Sequence, residues 1–129
     1  MPGLLLDTCA VYWWHIGSPH LSETARSAIE GADPTAFVSA ASAWEMVTKW
    51  RSGKQPEFGP MASNFADILA AQAFKELPIS VAHAMHAASL PFHHRDPFDR
   101  IIIAQALLEG LPVVTSDSIF DPYGVDRIW

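Results

Sequence analysis

Four acidic residues sit where strand-like apolar runs give way to a helix or a loop. Asp7 follows Leu4-Leu5-Leu6, Glu45 comes shortly after Phe37-Val38, Asp99 opens the helix of Ile101-Ile102-Ile103, and Asp117 follows Val113-Val114. In an open parallel α/β sheet the carboxyl ends of the strands share one edge, and ligands bind in the crevice there. Carboxylates spread from residue 7 to residue 117 are therefore expected to converge. At an effective dielectric of about 20, two of them ~4 Å apart repel by ~4 kcal/mol. Such a group calls for protons or a cation, and hard oxygen ligands favour magnesium or manganese. The chemistry this points to is metal-dependent hydrolysis.

The elements that must position these groups are legible in the pattern. Leu4–Leu6 reads as a short buried strand, and Ala10–Ile16 as a helix ended by Gly17-Ser18-Pro19. Ser22 caps a helix through Ile29 with Gly31 as its stop; Ala36–Ser39 is a second strand after an Asp33-Pro34 turn. Ala43, Met46, Val47 and Trp50 recur at helical spacing within Ser42–Trp50, which Gly53 closes. Glu57–Pro60 is expected as a loop, Met61–Phe74 as one helix, Leu77–Ser80 as a strand and Val81–Ser89 as a helix. A loop over Leu90–Arg95 leads to a helix over Pro97–Glu109 that Gly110 terminates, then strands at Pro112–Thr115 and Val125–Trp129. Strands alternating with helices predict a single α/β domain over residues 1–129, with a mostly parallel sheet covered on both faces. Its connections are expected to be right-handed.

Each carboxylate also has a local explanation. Asp7 suits an Asx-type turn or a helix cap. Ser42-Ala43-Trp44-Glu45 fits a capping box, in which the glutamate reaches back to the N-cap backbone. In Asp96-Pro97-Phe98-Asp99, Asp96 suits the cap and Pro97 the first helical position, which leaves Asp99 for a ligand. Thr115-Ser116-Asp117 reads equally as a polar turn. Their recurrence at one sheet edge is what carries weight.

Other candidates are poorer. His83 and His86 share a helix face but are expected as surface or partly buried residues, and His93-His94 lie in a loop, where they either approach substrate or are simply solvated. Cys9 has no clear histidine partner for a thiol nucleophile, and the seven glycines stand singly at turns and helix ends rather than in a phosphate loop. A haloacid-dehalogenase-like phosphatase expects a second Asp where Cys9 stands. A receiver domain expects a lysine after a late strand, where Val113–Ser118 has none.

The 129 residues are half hydrophobic, which excludes a disordered chain, and no apolar run approaches the ~20 residues of a membrane span. The start shows no basic region or cleavage-like segment, and the single cysteine fits a reducing, cytoplasmic location. The net charge of −6 argues against broad electrostatic binding of nucleic acid. Two local basic groups stand against that balance: Arg95 with Arg100, and Lys49, Arg51 and Lys54.

Taken together, Leu4–Thr8, Ser39–Glu45, His94–Arg100, Val114–Asp117 and the closing Tyr123-Gly124-Val125 with Ile128-Trp129 resemble a PIN-domain protein. More narrowly, they resemble the VapC-type toxins of bacterial toxin–antitoxin pairs. The motifs come in the family's order over essentially the whole chain, and Asp96–Arg100 is the most specific. The resemblance implies a three-layer α/β/α fold and a Mg2+- or Mn2+-dependent ribonuclease. It implies metal ligation by Asp7, Glu45 and Asp99, with Asp117 as a fourth carboxylate and Asp96 as a secondary acidic residue. Cys9 departs from the histidine often found there. Arg95, Arg100 and Thr115 are candidates for holding substrate phosphate. The implied partners are RNA and a VapB-like antitoxin in a groove near Tyr12, Trp13 and Trp14, with a homodimer or toxin–antitoxin hetero-oligomer as the assembly. The other reading is a PIN-like binding module without activity.

Overall fold

The computed structural model describes residues 3–31 and 35–129, so the expected Asp33-Pro34 turn lies outside the described residues. Five strands form one sheet: β1 (Leu4–Leu6), β2 (Ala36–Ser39), β3 (Lys75–Leu77), β4 (Val113–Val114) and β5 (Arg127–Ile128). Their order is β3-β2-β1-β4-β5, and every pairing is parallel. All three leucines of β1 are buried, because this central strand is covered on both faces. Leu4, Leu6, Val38 and Val114 enter one core with Val11, Met46 and Phe65, whereas Leu5, Phe37 and Val113 enter the other with Ile102, Ile103 and Phe120. Alternation along the strands thus produces the expected three layers.

Seven helices flank the described sheet. They are α1 (Thr8–Ile16), α2 (Glu23–Glu30), α3 (Ala40–Arg51), α4 (Gly59–Ala62), α5 (Phe65–Ala71), α6 (Val81–Ser89) and α7 (Pro97–Glu109). Ser22 and Asp96 cap α2 and α7 as their positions predict. Gly17 and Gly110 end α1 and α7 at φ of 66° and 67°, a conformation glycine adopts without a Cβ penalty.

The chain departs from expectation in three places. Glu57–Pro60 is not a loop: a 3₁₀ turn at Pro56–Phe58 runs into α4, and the helix expected over Met61–Phe74 is broken at Ser63-Asn64. It ends before Ala73, which adopts a φ of 57° and turns the chain toward β3. The third strand is Lys75–Leu77 rather than Leu77–Ser80. As an edge strand it can carry exposed Lys75 and Glu76. Ser80 is drawn instead into a capping box with His83, in which each residue accepts the other's backbone N–H. Finally, α3 starts at Ala40, two residues early, because the Ser39 hydroxyl accepts the Ala41 N–H at 3.0 Å. That removes the capping-box explanation of Glu45, which falls in the middle of α3.

Candidate metal and phosphodiester site

Because the strands are parallel, the ends of β1, β2 and β4 lie at one edge of the sheet. A cleft of about 380 Å³ opens beside them. Asp7, Thr8 and Cys9 line it from the β1–α1 junction, Glu45 and Lys49 from α3, His94, Asp96 and Asp99 from the start of α7, and Ser116 and Asp117 from beyond β4. All five acidic residues singled out in the sequence therefore share one cavity wall.

Each is held differently. Asp7 is buried, and its Oδ1 accepts the Ala10 N–H at 2.8 Å, so one side chain caps α1 and faces the cleft. Glu45 is also buried. The Thr8 hydroxyl donates to its Oε1 at 2.5 Å and lies 2.9 Å from the Ser42 hydroxyl, while Lys49 Nζ meets Oε2 at 2.5 Å. Asp96 Oδ1 caps α7 through the N–H groups of Phe98 and Asp99. Asp99 Oδ2 pairs with His94 Nε2 at 2.8 Å. Asp117 is exposed and caps the 3₁₀ turn Ser118–Tyr123 through the Ile119 N–H.

Among the described residues, His94, Asp96 and Asp99 form the group whose ligand atoms all lie within 4.8 Å of one another. Asp7, Glu45 and Asp117 line the same cleft outside that group, each with its own hydrogen-bond donor. Desolvation, only partly offset by the Thr115 side chain and the Ala10 amide, pushes Asp7 up to about 7, with Asp99 and Glu45 adding repulsion. Desolvation and then the charge of Asp96 push Asp99 up to about 6, against the stabilising hydrogen bond of His94. Carboxyl groups strained in this way suit a hard divalent cation, since oxygen ligation offsets both burial and repulsion. The residues present fit magnesium or manganese. Cys9 is exposed by surface area yet lines the carboxylate cleft, where desolvation, followed by the charges of Asp7 and Glu45, pushes its thiol up to about 12 and disfavours the thiolate a nucleophile needs.

Several sequence expectations need correction. Arg100 is buried and holds no open face toward a phosphate: Nη1 donates to the carbonyls of Pro91 and His94, and Nη2 to those of Ala87 and Leu90. Its guanidinium also lies 4.5 Å from the centre of the Phe92 ring. It is a strut that folds the 90–95 loop and so delivers His94 to Asp99. Replacing it with Met leaves four carbonyls without their donor, and urea unfolding should show a loss of about 3 kcal/mol. Arg100→Lys should recover little, because an ammonium cannot reproduce the planar fork. Thr115 is likewise buried, where it supports Asp7 and accepts the Asp117 N–H. Arg95 is exposed between His94 and Asp96 but is not part of the cleft wall.

Tyr12, Trp13 and Trp14, the residues of the expected antitoxin groove, are half-buried. Consecutive helical residues point about 100° apart. Tyr12 packs on Phe58, Trp13 on His20 and Trp129, and Trp14 on Phe74, with Trp14 Nε1 donating to Gln72. The three pack against the edge of this chain's core and keep part of their surface exposed. His83 is more buried than expected, tied to Ser80 and to Glu109 at 3.0 Å, and neither it nor His86 lines the cleft. Sequence reasoning missed Thr8 as part of the site, left His94 open between substrate and solvent, and placed Lys49 only in a local basic group. The i,i+4 spacing of Glu45 and Lys49 was the available signal.

The PIN domain family model matches residues 4–125. The chain belongs to the PIN-domain family. This PIN domain is 33% identical over 118 residues to Ribonuclease VapC22 of Mycobacterium tuberculosis, an alignment covering 91% of this chain and 88% of that protein. Among solved structures it is similar to FitAcB from Neisseria gonorrhoeae, with a TM-score of 0.67 at 20% identity over 96% of this chain and 95% of that one. It is also similar to VapBC2 from Rickettsia felis, bound to a DNA fragment from its promoter. That match has a TM-score of 0.66 at 12% identity, covering 98% of each chain. At these identities the two structures speak for the fold of the PIN domain. No helix among its described residues is long and apolar enough to cross a membrane.

Proposed function

We propose that the chain is a Mg2+- or Mn2+-dependent endoribonuclease and the toxin of a toxin–antitoxin pair. The observation that carries this reading is the convergence of Asp7, Glu45, Asp96, Asp99 and Asp117, from four separate segments, on one cleft at the strand ends. The ribonuclease named among its relatives supports RNA as the substrate. The toxin–antitoxin complex from Klebsiella pneumoniae, a structural neighbour at a TM-score of 0.58, supports an antitoxin partner.

Asp7, Glu45 and Asp99 would hold the ion, with Asp117 on the exposed rim as a fourth carboxylate and Asp96 assisting while it caps α7. A bound divalent ion supplies an acidified water and charge stabilisation at the scissile phosphate. The chain's part is positional. Thr8 fixes the Glu45 carboxylate, the Ala10 amide and Thr115 fix Asp7, and His94 fixes Asp99. A basic side chain of the antitoxin directed at Asp7, Glu45 and Asp99 would block the cleft, since a charge pair there is desolvated and selective.

The test is cleavage of a mixed RNA pool by the purified chain with magnesium, with manganese and with chelator. Cleavage with either metal and none with chelator is the expected outcome. A folded protein that neither cleaves RNA nor binds either metal by calorimetry would be a binding module instead. Co-expression with the product of the neighbouring gene should yield a complex in which cleavage is suppressed.

A further inference from the structure

Lys49 is the single lysine or arginine among the residues lining the cleft, where five carboxylates surround it. The two arginines expected at the phosphate are accounted for elsewhere: Arg100 is enclosed by four carbonyls and Arg95 lies off the wall. An RNA phosphate entering this cleft would therefore meet almost only negative charge unless Lys49 takes part.

The geometry of the pair shows which half can move. The side chain of Glu45 is 7% exposed and that of Lys49 24%. Glu45 is also anchored through its other oxygen by Thr8, independently of the lysine. An ordinary lysine is an ammonium at neutral pH. A flexible four-carbon stem with three rotatable donors can leave one anion for another as a rigid guanidinium in a cage cannot.

We propose that Lys49 exchanges partners during function. Its ammonium meets Glu45 Oε2 in the structure; where a divalent ion takes that carboxylate, it would turn instead to a non-bridging oxygen of the RNA phosphate. The inference rests on the ribonuclease reading above for the nature of the incoming anion. The competing account is an ordinary i,i+4 pair that supports α3 and nothing more.

Lys49→Met separates the two, with Lys49→Arg as the charge-retaining control and circular dichroism as the check that α3 is intact. Calorimetry with Mn2+ alone, without RNA, should show Lys49→Met binding the ion about three- to tenfold more tightly, because a competitor for Glu45 has gone. In RNA cleavage its KM should rise about five- to tenfold with kcat changed far less. The slope of log(1/KM) against log[salt] should flatten by about 0.7, the loss of one phosphate contact on a single strand. Lys49→Arg should restore that slope. Metal affinity that falls in Lys49→Met would overturn the exchange, since the lysine would then be needed to hold Glu45 in place. An unchanged KM and salt slope in an active enzyme would likewise leave only the helix pair. If the wild type cleaves no RNA, the ribonuclease reading fails, and the Mn2+ titration still decides whether Lys49 competes for Glu45.

Discussion

Asp7→Asn and Asp99→Asn should each lower divalent-ion-dependent RNA cleavage by about a thousandfold while the protein stays folded, because each removes a charge and almost no volume. The environments explain why so much rests on single groups. Asp7 is buried and Asp99 half-buried, and the carboxylates are arranged around a cleft and not along a surface, so a water that takes a lost ligand's place brings none of its charge. Glu45→Gln is the sharper experiment. Since α3 is capped by Ser39, the substitution leaves the helix start untouched, and the amide oxygen of Gln can still accept from Thr8. Its activity should fall comparably. A folded Glu45→Gln protein with full activity would remove Glu45 from the ligand set and return it to a purely structural role.

Stability should move the other way. Asp7 titrates at about 7 in the folded chain against 3.8 as an unperturbed group, so between these values the native state binds more protons than the unfolded state. The slope of stability with pH is then negative: the contribution is present below pH 4 and is lost as pH rises toward 7. For a shift of this size the loss is on the order of 4 kcal/mol. Asp99, raised to about 6, contributes with the same sign over a lower window. Urea unfolding in chelator between pH 4.5 and 8 should show wild type losing stability relative to Asp7→Asn, which should be the more stable of the two near neutrality. Magnesium should reverse the order. A ligand that binds only the native state stabilises it by about 2.7 kcal/mol at a hundred times its dissociation constant, and the mutant has lost part of that site. Parallel pH profiles for the two proteins, or equal stabilisation by magnesium, would show that Asp7 neither carries the strain nor binds the ion.

The sequence by itself determined the layer architecture and which carboxylates would meet. Buried strands of wholly apolar residues, helices with caps and glycine stops, and acidic residues at each strand end are local signals. A parallel sheet converts them into convergence without further instruction. The sheet order and its parallel pairings then carry Asp7 and Asp117 from opposite ends of the chain to one wall. Only the tertiary structure could decide what each polar group faces. Arg100 was the expected phosphate contact, and Lys49 only one of a basic group on its helix. Packing of α6 and the 90–95 loop encloses the first among carbonyls, and the turn of α3 leaves the second at the cleft. Trp13 and Trp14 read as an interaction surface because aromatic residues favour interfaces, yet the positions of Trp129 and Phe74 draw them inward. Glu45 lost its capping-box explanation once Ser39, at the end of β2, captured the first amides of α3. The physical reason is common to all of these. Helix and strand propensity act over a few residues, whereas burial, hydrogen-bond satisfaction and charge compensation depend on neighbours that lie dozens of residues away.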